Sequence, residues 1–374
     1  MQVSGKLDSG NIELVSAALR TAELAIRPDP GTEFLHWFHF RCLAQDDELH
    51  RFSIVNAGRS RTSDGWRGYR AVASYDRRTW FRVPTRFDGE SLSFELKPRH
   101  PLVFFAHFAP YTLGRDARLL SWCQRRPGVR IEPLAESVEG RPIDVLCIGS
   151  GPDRGRTCWI TGGQHPGEPM SRWFVEGLLE RLLAPEDPVA HRLRQEATFY
   201  VVPNVNPDGS FSGRLRTNAA GLDLNREWQD PSPARSPEIH ALRARMEQTG
   251  VDFFLDAHGD ETLPYNFVVS ADAVPSMTPR LIALRERFEV ALERRNPDFQ
   301  REHGYPPEEP GKGDLQIGNN WVAERFGCLS VTLEQPFKDL ADSPLTEWGW
   351  SPARARSLGA SSLGALASVL DDLR

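Results

Sequence analysis

Over residues 1 to about 110, apolar and polar residues alternate in short runs: TEFLHWFHFRCLA, RFSIVNA, RAVASYD, WFRVPTRFD and LSFELKP. Gly, Asp, Ser and Pro break the runs apart. A period of two marks half-buried strands, and several such runs with no helical stretch between them predict an antiparallel β-sandwich. The apolar, aromatic segment RHPLVFFAHFAPYT (99–112) is expected to be the last strand and a junction. From 113 the pattern changes. Strand-like runs at 143–150, 158–164, 197–207, 251–259 and 328–336 alternate with helical ones at 171–184, 236–249, 277–295 and near the C-terminus. That alternation predicts a mixed, largely parallel α/β sheet flanked by helices. The Pro-rich stretches APEDP, DPSPARSP and YPPEEP lie between these runs and read as loops. A chain of 374 residues is too long for one ordinary core. The expected division is therefore a sandwich over 1–112 and an α/β domain over 113–374.

Composition changes this picture little. Hydrophobic residues make up 40% and charged residues 26%, and the formal net charge is −6. A net negative chain with scattered Arg residues offers no electrostatic argument for nucleic acid or an anionic membrane as partner. The five cysteines are widely spaced with no CxxC, which suggests free, buried thiols in a reducing compartment. The N-terminal residues lack the pattern of a secretory leader, and no run approaches the length of a membrane span. A cytoplasmic location is expected.

Candidate chemistry sits at strand ends. TGGQHPGEPM puts His165 and Glu168 between a predicted strand and a predicted helix, and LDAHGDE puts His258 directly after another strand. Ligands of open α/β sheets bind beyond the carboxyl ends of strands, so the two segments can converge. Two imidazoles and one carboxylate form a zinc set that leaves a fourth position for water. Glu334, inside the apolar run SVTLEQ, would be costly to bury without a cavity or a metal. Asp223 and Asp256 flank these motifs, and each could orient a ligand histidine or cap a turn. Asp256 is expected on the opposite side of its strand from His258. NPDG (206–209) reads as a turn and GSGPDRG (149–155) as a hairpin turn without the Lys-Ser/Thr of a phosphate loop. His36 and His39 are expected to be structural. His191, His240 and His303 have no partners in sequence. No nucleophile elbow is present, which argues against a covalent hydrolase.

HPGE is followed in order by VVPNVNPDG, RTNAAGLDLNREW, LDAHGDE and VTLEQPF. Together these motifs resemble the carboxypeptidase A family of metallopeptidases, and within it the cytosolic carboxypeptidases, whose eukaryotic members remove glutamates from protein tails. FAPYT (108–112) resembles the junction between a β-sandwich and the catalytic domain in that subfamily. The resemblance implies one Zn2+ per chain on His165, Glu168 and His258. It implies Glu334 as general base, Arg216 as the group that stabilises the oxyanion, and Asn225 and Arg226 as the pair that holds a peptide's terminal carboxylate. It also implies peptide or protein C-terminal tails as substrate.

Two positions depart from the family pattern. Residues 306–333 contain no Tyr to cover the substrate, the nearest being Tyr305, with Tyr265 after the third ligand. The side-chain pocket falls near Asn319, a neutral residue, with Lys312 and Arg325 nearby in sequence. A preference for C-terminal Glu therefore stays open. So do two other functions on the same fold: a zinc amidohydrolase acting on N-acyl amino acids, and an inactive binding protein.

Overall fold

The computed structural model describes residues 1–44, 47–149 and 155–373. Ten strands come first: β1 (Gln2–Ser4), β2 (Glu13–Ala17), β3 (Thr21–Ala25), β4 (His39–Leu43), β5 (His50–Ile54), β6 (Val72–Ser74), β7 (Phe81–Arg82), β8 (Thr85–Phe87), β9 (Leu92–Leu96) and β10 (Leu102–Ala106). They form two sheets, β1-β4-β10-β6-β7 and β2-β3-β5-β9-β8. Phe38, Phe40, Phe52, Phe94 and Phe105 fill the space between them. Pairing is antiparallel except for β3 with β5, which is parallel. The first three strands were not among the expected runs. All five residues of β2 are exposed, so its sequence lacks the buried–exposed alternation that marks a strand.

The second part runs α1 (Leu113–Cys123), β11 (Val129–Glu136), β12 (Pro142–Gly149), β13 (Arg156–Gly162), α2 (Pro169–Leu182), α3 (Pro188–Glu196), β14 (Ala197–Val202) and α4 (Pro207–Ser212). It continues with α5 (Pro237–Thr249), β15 (Phe253–Ala257), β16 (Phe267–Ser270), α6 (Pro279–Glu293), α7 (Gly318–Phe326), β17 (Leu329–Glu334) and α8 (Pro352–Ala367). One seven-stranded sheet has the order β11-β12-β14-β13-β15-β17-β16. The four central strands β14, β13, β15 and β17 are mutually parallel, and the outer pairings are antiparallel.

Both faces of this sheet are covered, which is why ATFYVV is buried throughout and mostly apolar. Successive residues still alternate between two cores. Cys158, Ile160, Phe199, Val201 and Leu255 face the side of α2 and α8. Trp159, Tyr200, Val202 and Phe254 face the side of α5 and α7. Helices α2 and α8 cross closely because Gly177 and Gly359 have no side chain. A Cβ on Gly177 would lie 2.1 Å from the Arg356 carbonyl oxygen, and one on Gly359 would lie 2.0 Å from that of Phe174.

Two expectations need correction. Strands β12 and β13 are not hairpin partners, because β14 lies between them. The 150–154 part of GSGPDRG lies outside the described residues. NPDG is not a simple turn. Asn206 accepts the Gly209 N–H at 3.0 Å and caps α4, with Pro207 as the first helical residue, a position where the missing N–H of proline costs nothing.

FAPYT ties the sandwich to the sheet. The Tyr111 hydroxyl donates to Glu176 of α2 at 2.6 Å, and the Trp173 indole donates to the Ala109 carbonyl at 2.9 Å. The sandwich also holds the segment after β17. The Arg82 guanidinium donates to the carbonyls of Phe337 (2.7 Å) and Trp350 (3.0 Å), and His107 stacks on Phe337 at 4.0 Å. His36 and His39 are fully buried. His36 stacks on Trp66 at 3.8 Å, and His39 bonds Ser9 at 3.0 Å.

Candidate metal centre and active site

Three adjacent parallel strands end at one edge of the sheet. Gly162 of β13 is level with Ala257 of β15, and Ala257 is level with Leu333 of β17. His165 lies three residues past β13, Glu168 immediately precedes α2, His258 directly follows β15, and Glu334 is the last residue of β17. All four side chains are buried.

His165, Glu168 and His258 form a cluster whose donor atoms could hold one ion. His165 Nδ1 is 2.7 Å from Glu168 Oε1, and His258 Nδ1 is 3.0 Å from Oε2. The two Nδ1 atoms are 3.1 Å apart. The outer ring nitrogens are both engaged by carboxylates: His165 Nε2 by Asp223 at 2.9 Å, His258 Nε2 by Asp256 at 2.6 Å. An imidazole beside a carboxylate donates its N–H to it. With N–H groups on the outer nitrogens, both Nδ1 atoms would be left to offer lone pairs, together with the Glu168 carboxylate, to one shared cation. That crowding of electron pairs suits a bound cation, and two imidazoles with one carboxylate suit zinc better than calcium or magnesium.

Asp256 is thus on the same side as His258, as residues two apart in a strand must be. It also accepts from the Thr161 hydroxyl at 2.6 Å and from the Gln164 amide. Asp223 combines both roles open to it. It caps the short turn 224–226 by accepting the Asn225 N–H at 3.0 Å, and it orients His165. Replacing Asp256 with Asn is expected to weaken zinc binding by about 10–100-fold. Competition against a chelator of known affinity measures this, and an unchanged affinity would remove Asp256 as the residue that orients His258.

The electrostatics follow from burial and neighbours. Burial alone would lower the His258 pKa, but Asp256 and Glu168 outweigh it and hold it well above the ordinary value. Burial pushes the Glu168 carboxyl up, and the two imidazoles bring it well below its usual range. Glu334 moves the other way. Burial raises it strongly, His258 opposes this, and Glu168, Asp260 and Glu261 add to the rise. A cation held beside Glu334 would oppose that rise and favour its ionised form. Glu261 is pushed up to about 7 by burial and by Glu168. Its carboxylate was not singled out in sequence, although LDAHGDE contains it.

The remaining expected residues lie around this centre. Arg216 Nε donates to Asp223 Oδ2 at 2.6 Å, so one aspartate bridges His165 and Arg216. The Asn225 side-chain oxygen accepts the Gly318 N–H at 2.8 Å, which turns its NH2 group away from α7. Arg226 is exposed, with Nη1 donating to the Asn225 carbonyl at 2.7 Å. Asn319 is buried. Its NH2 donates to the Val269 carbonyl at 3.2 Å, and its side-chain oxygen has no hydrogen-bond partner among the described residues. Neither neighbouring cation is buried beside it. Lys312 is exposed, and Arg325 pairs with Glu247 at 3.4 Å on the surface. The Tyr305 hydroxyl donates to Asp260 at 2.6 Å and lies within electrostatic reach of Glu334. Tyr265 stacks on His303 at 4.2 Å.

Fold and donor set together define a metal-dependent hydrolase of the carboxypeptidase type, and the chain belongs to the zinc carboxypeptidase family. Residues 122–342 match the zinc carboxypeptidase model, and residues 3–108 match that of the cytosolic carboxypeptidase N-terminal domain. The chain is similar to a metallo-carboxypeptidase from Pseudomonas aeruginosa, solved in complex with (2-guanidinoethylmercapto)succinic acid. Identity is 46% and the TM-score 0.97, over 100% of both chains. A metallo-carboxypeptidase from Burkholderia cenocepacia is 41% identical, with a TM-score of 0.96 over 99% of each chain. Cytosolic carboxypeptidase 6 of Homo sapiens is 32% identical over 70% of this chain and 57% of that protein. No helix among the described residues is long and apolar enough to cross a membrane.

Proposed function

We propose that the protein is an exopeptidase that binds one zinc ion on His165, Glu168 and His258 and releases the last residue of peptides or protein tails. The observation that carries this reading is the pair of bonds to one Asp223 oxygen. It accepts from the ligand His165 and from the backbone of Asn225, so the metal cage and the carboxylate-binding turn share one anchor.

Arg226 and the Asn225 NH2 group hold the substrate's terminal carboxylate, the guanidinium offering a charge-assisted fork. Arg216 donates to the oxygen that becomes negative as the carbonyl is attacked. Glu334 takes a proton from the attacking water and returns it to the leaving amine. Zinc, when bound, acidifies water and polarises a carbonyl. The five free, buried cysteines and the cytosolic relatives support a cytoplasmic location. Selection for C-terminal Glu has no support from Asn319, whose cationic neighbours in sequence, Lys312 and Arg325, are both exposed.

The test is a set of paired peptides with free and amidated C-termini, alongside N-acyl amino acids. Zinc-loaded protein is expected to cut the free form at least about 100-fold faster, since losing charge-assisted bonds to the carboxylate costs roughly 3 kcal/mol. Turnover of the acyl amino acids alone would overturn the peptidase reading. A profile ending in Glu, Leu or Lys then reports the side-chain preference.

A further inference from the structure

Arg216 is held by more than Asp223. Asp29 lies in the loop between β3 and β4, far outside the 122–342 match, and is almost fully buried. Its Oδ1 accepts the Leu215 N–H at 2.8 Å. Its Oδ2 accepts the N–H groups of Arg216 and Thr217, each at 2.8 Å, and the Thr217 hydroxyl at 3.1 Å. One carboxylate thus takes four hydrogen bonds from three consecutive residues, with Arg216 in the middle.

The loop is built to present this group. Its backbone closes on itself through Asp29 N–H to the Phe34 carbonyl at 2.9 Å and Thr32 N–H to the Asp29 carbonyl at 3.1 Å. The same closure brings the Phe34 ring to 5.5 Å from the Arg216 guanidinium carbon. Burial pushes the Asp29 pKa up, and the four donors from 215–217 oppose that rise. No hydrogen bond from Arg216 Nη1 or Nη2 is seen among the described residues. The backbone, Nε and ring contacts fix the side chain, and its two terminal nitrogens stay free for a substrate.

We infer that Asp29 of the N-terminal sandwich is a positioning residue for the hydrolysis, clamping the 215–217 backbone so that Arg216 meets the oxyanion. This inference rests on the role given to Arg216 in the proposed function. The sandwich then contributes to turnover itself. Asparagine at this position cannot substitute, because its NH2 group would face one of the N–H donors that the carboxylate oxygens accept.

The experiment measures kcat and KM on a peptide with a free C-terminus for the full-length, zinc-loaded protein, Asp29→Asn, Arg216→Ala and the double variant. Zinc content and circular dichroism are recorded for each. Asp29→Asn is expected to lower kcat by about 10–100-fold, the loss that follows from a displacement of about 1 Å. KM should stay within about 3-fold, since the lost contact is made only in the transition state. In the Arg216→Ala background the same change should cost less than about 3-fold, because the two act through one group. Wild-type kcat in Asp29→Asn, or an equal loss in both backgrounds, overturns the inference while leaving the peptidase reading intact. Full activity in Arg216→Ala instead removes Arg216 from the reaction, and the clamp's role with it. Should Asp29→Asn fail to fold, Thr217→Val deletes one of the four bonds and is expected to lower kcat about 3-fold at unchanged KM. An unchanged kcat there counts against the clamp equally.

Discussion

Replacing Glu334 with Gln is expected to lower kcat by about 10²–10⁴-fold, the usual contribution of a positioned proton-transfer group, while zinc content and fold persist. Glu334 ends β17 and is 8% exposed, and its Oε2 has no hydrogen-bond partner among the described residues. The substitution keeps shape and volume and breaks no hydrogen bond of that oxygen among the described residues. It also removes a carboxylate that burial and three neighbouring acids make costly to ionise. The melting temperature should therefore hold or rise as activity falls. That opposite movement separates a chemical role from a structural one. Initial rates, metal analysis and a thermal melt on the same sample check it. Equal turnover in both proteins would strike Glu334 from the mechanism.

Stripping the metal with a chelator is expected to abolish hydrolysis, by at least about 10³-fold if several kcal/mol of charge stabilisation are lost. One equivalent of zinc per chain should restore it. Stability should fall at the same time. The two Nδ1 atoms and the Glu168 carboxylate converge within hydrogen-bonding distance, and the unfolded chain offers no such set. An ion that binds only the folded form stabilises it by about 4 kcal/mol when present at 1,000 times its dissociation constant. Calorimetry before and after chelation reads this directly. Hydrolysis that survives exhaustive chelation would end the zinc assignment.

Much of this architecture was legible in the residues. Buried parallel strands are rich in apolar residues, so VDFFLDAHG and ATFYVV announced themselves, and the motifs at their ends fell where open sheets bind ligands. What stayed hidden was non-local. Nothing in β12 and β13 says that β14, from residues 197–202, inserts between them. Nothing near Asp29 points to donors 186 to 188 residues away. Strand β2 has no buried side and so no pattern. Other features were readable. Asn206 with Pro207 carries the ordinary cap signal of a helix start. The expectation of opposite faces for Asp256 and His258 fails on the strand's own period of two. Tyr305 could not be given a role from sequence because its meaning comes from Asp260, 45 residues away.

Asp223 has a consequence for how such a site changes through descent. One of its oxygens orients His165 and the other holds Arg216. A heritable change at this codon cannot alter how His165 is oriented without also disturbing the hold on Arg216, the group proposed to meet the oxyanion. The two traits are pleiotropic through a single side chain, and a lineage that relaxed one would inherit the loss of the other in the same step.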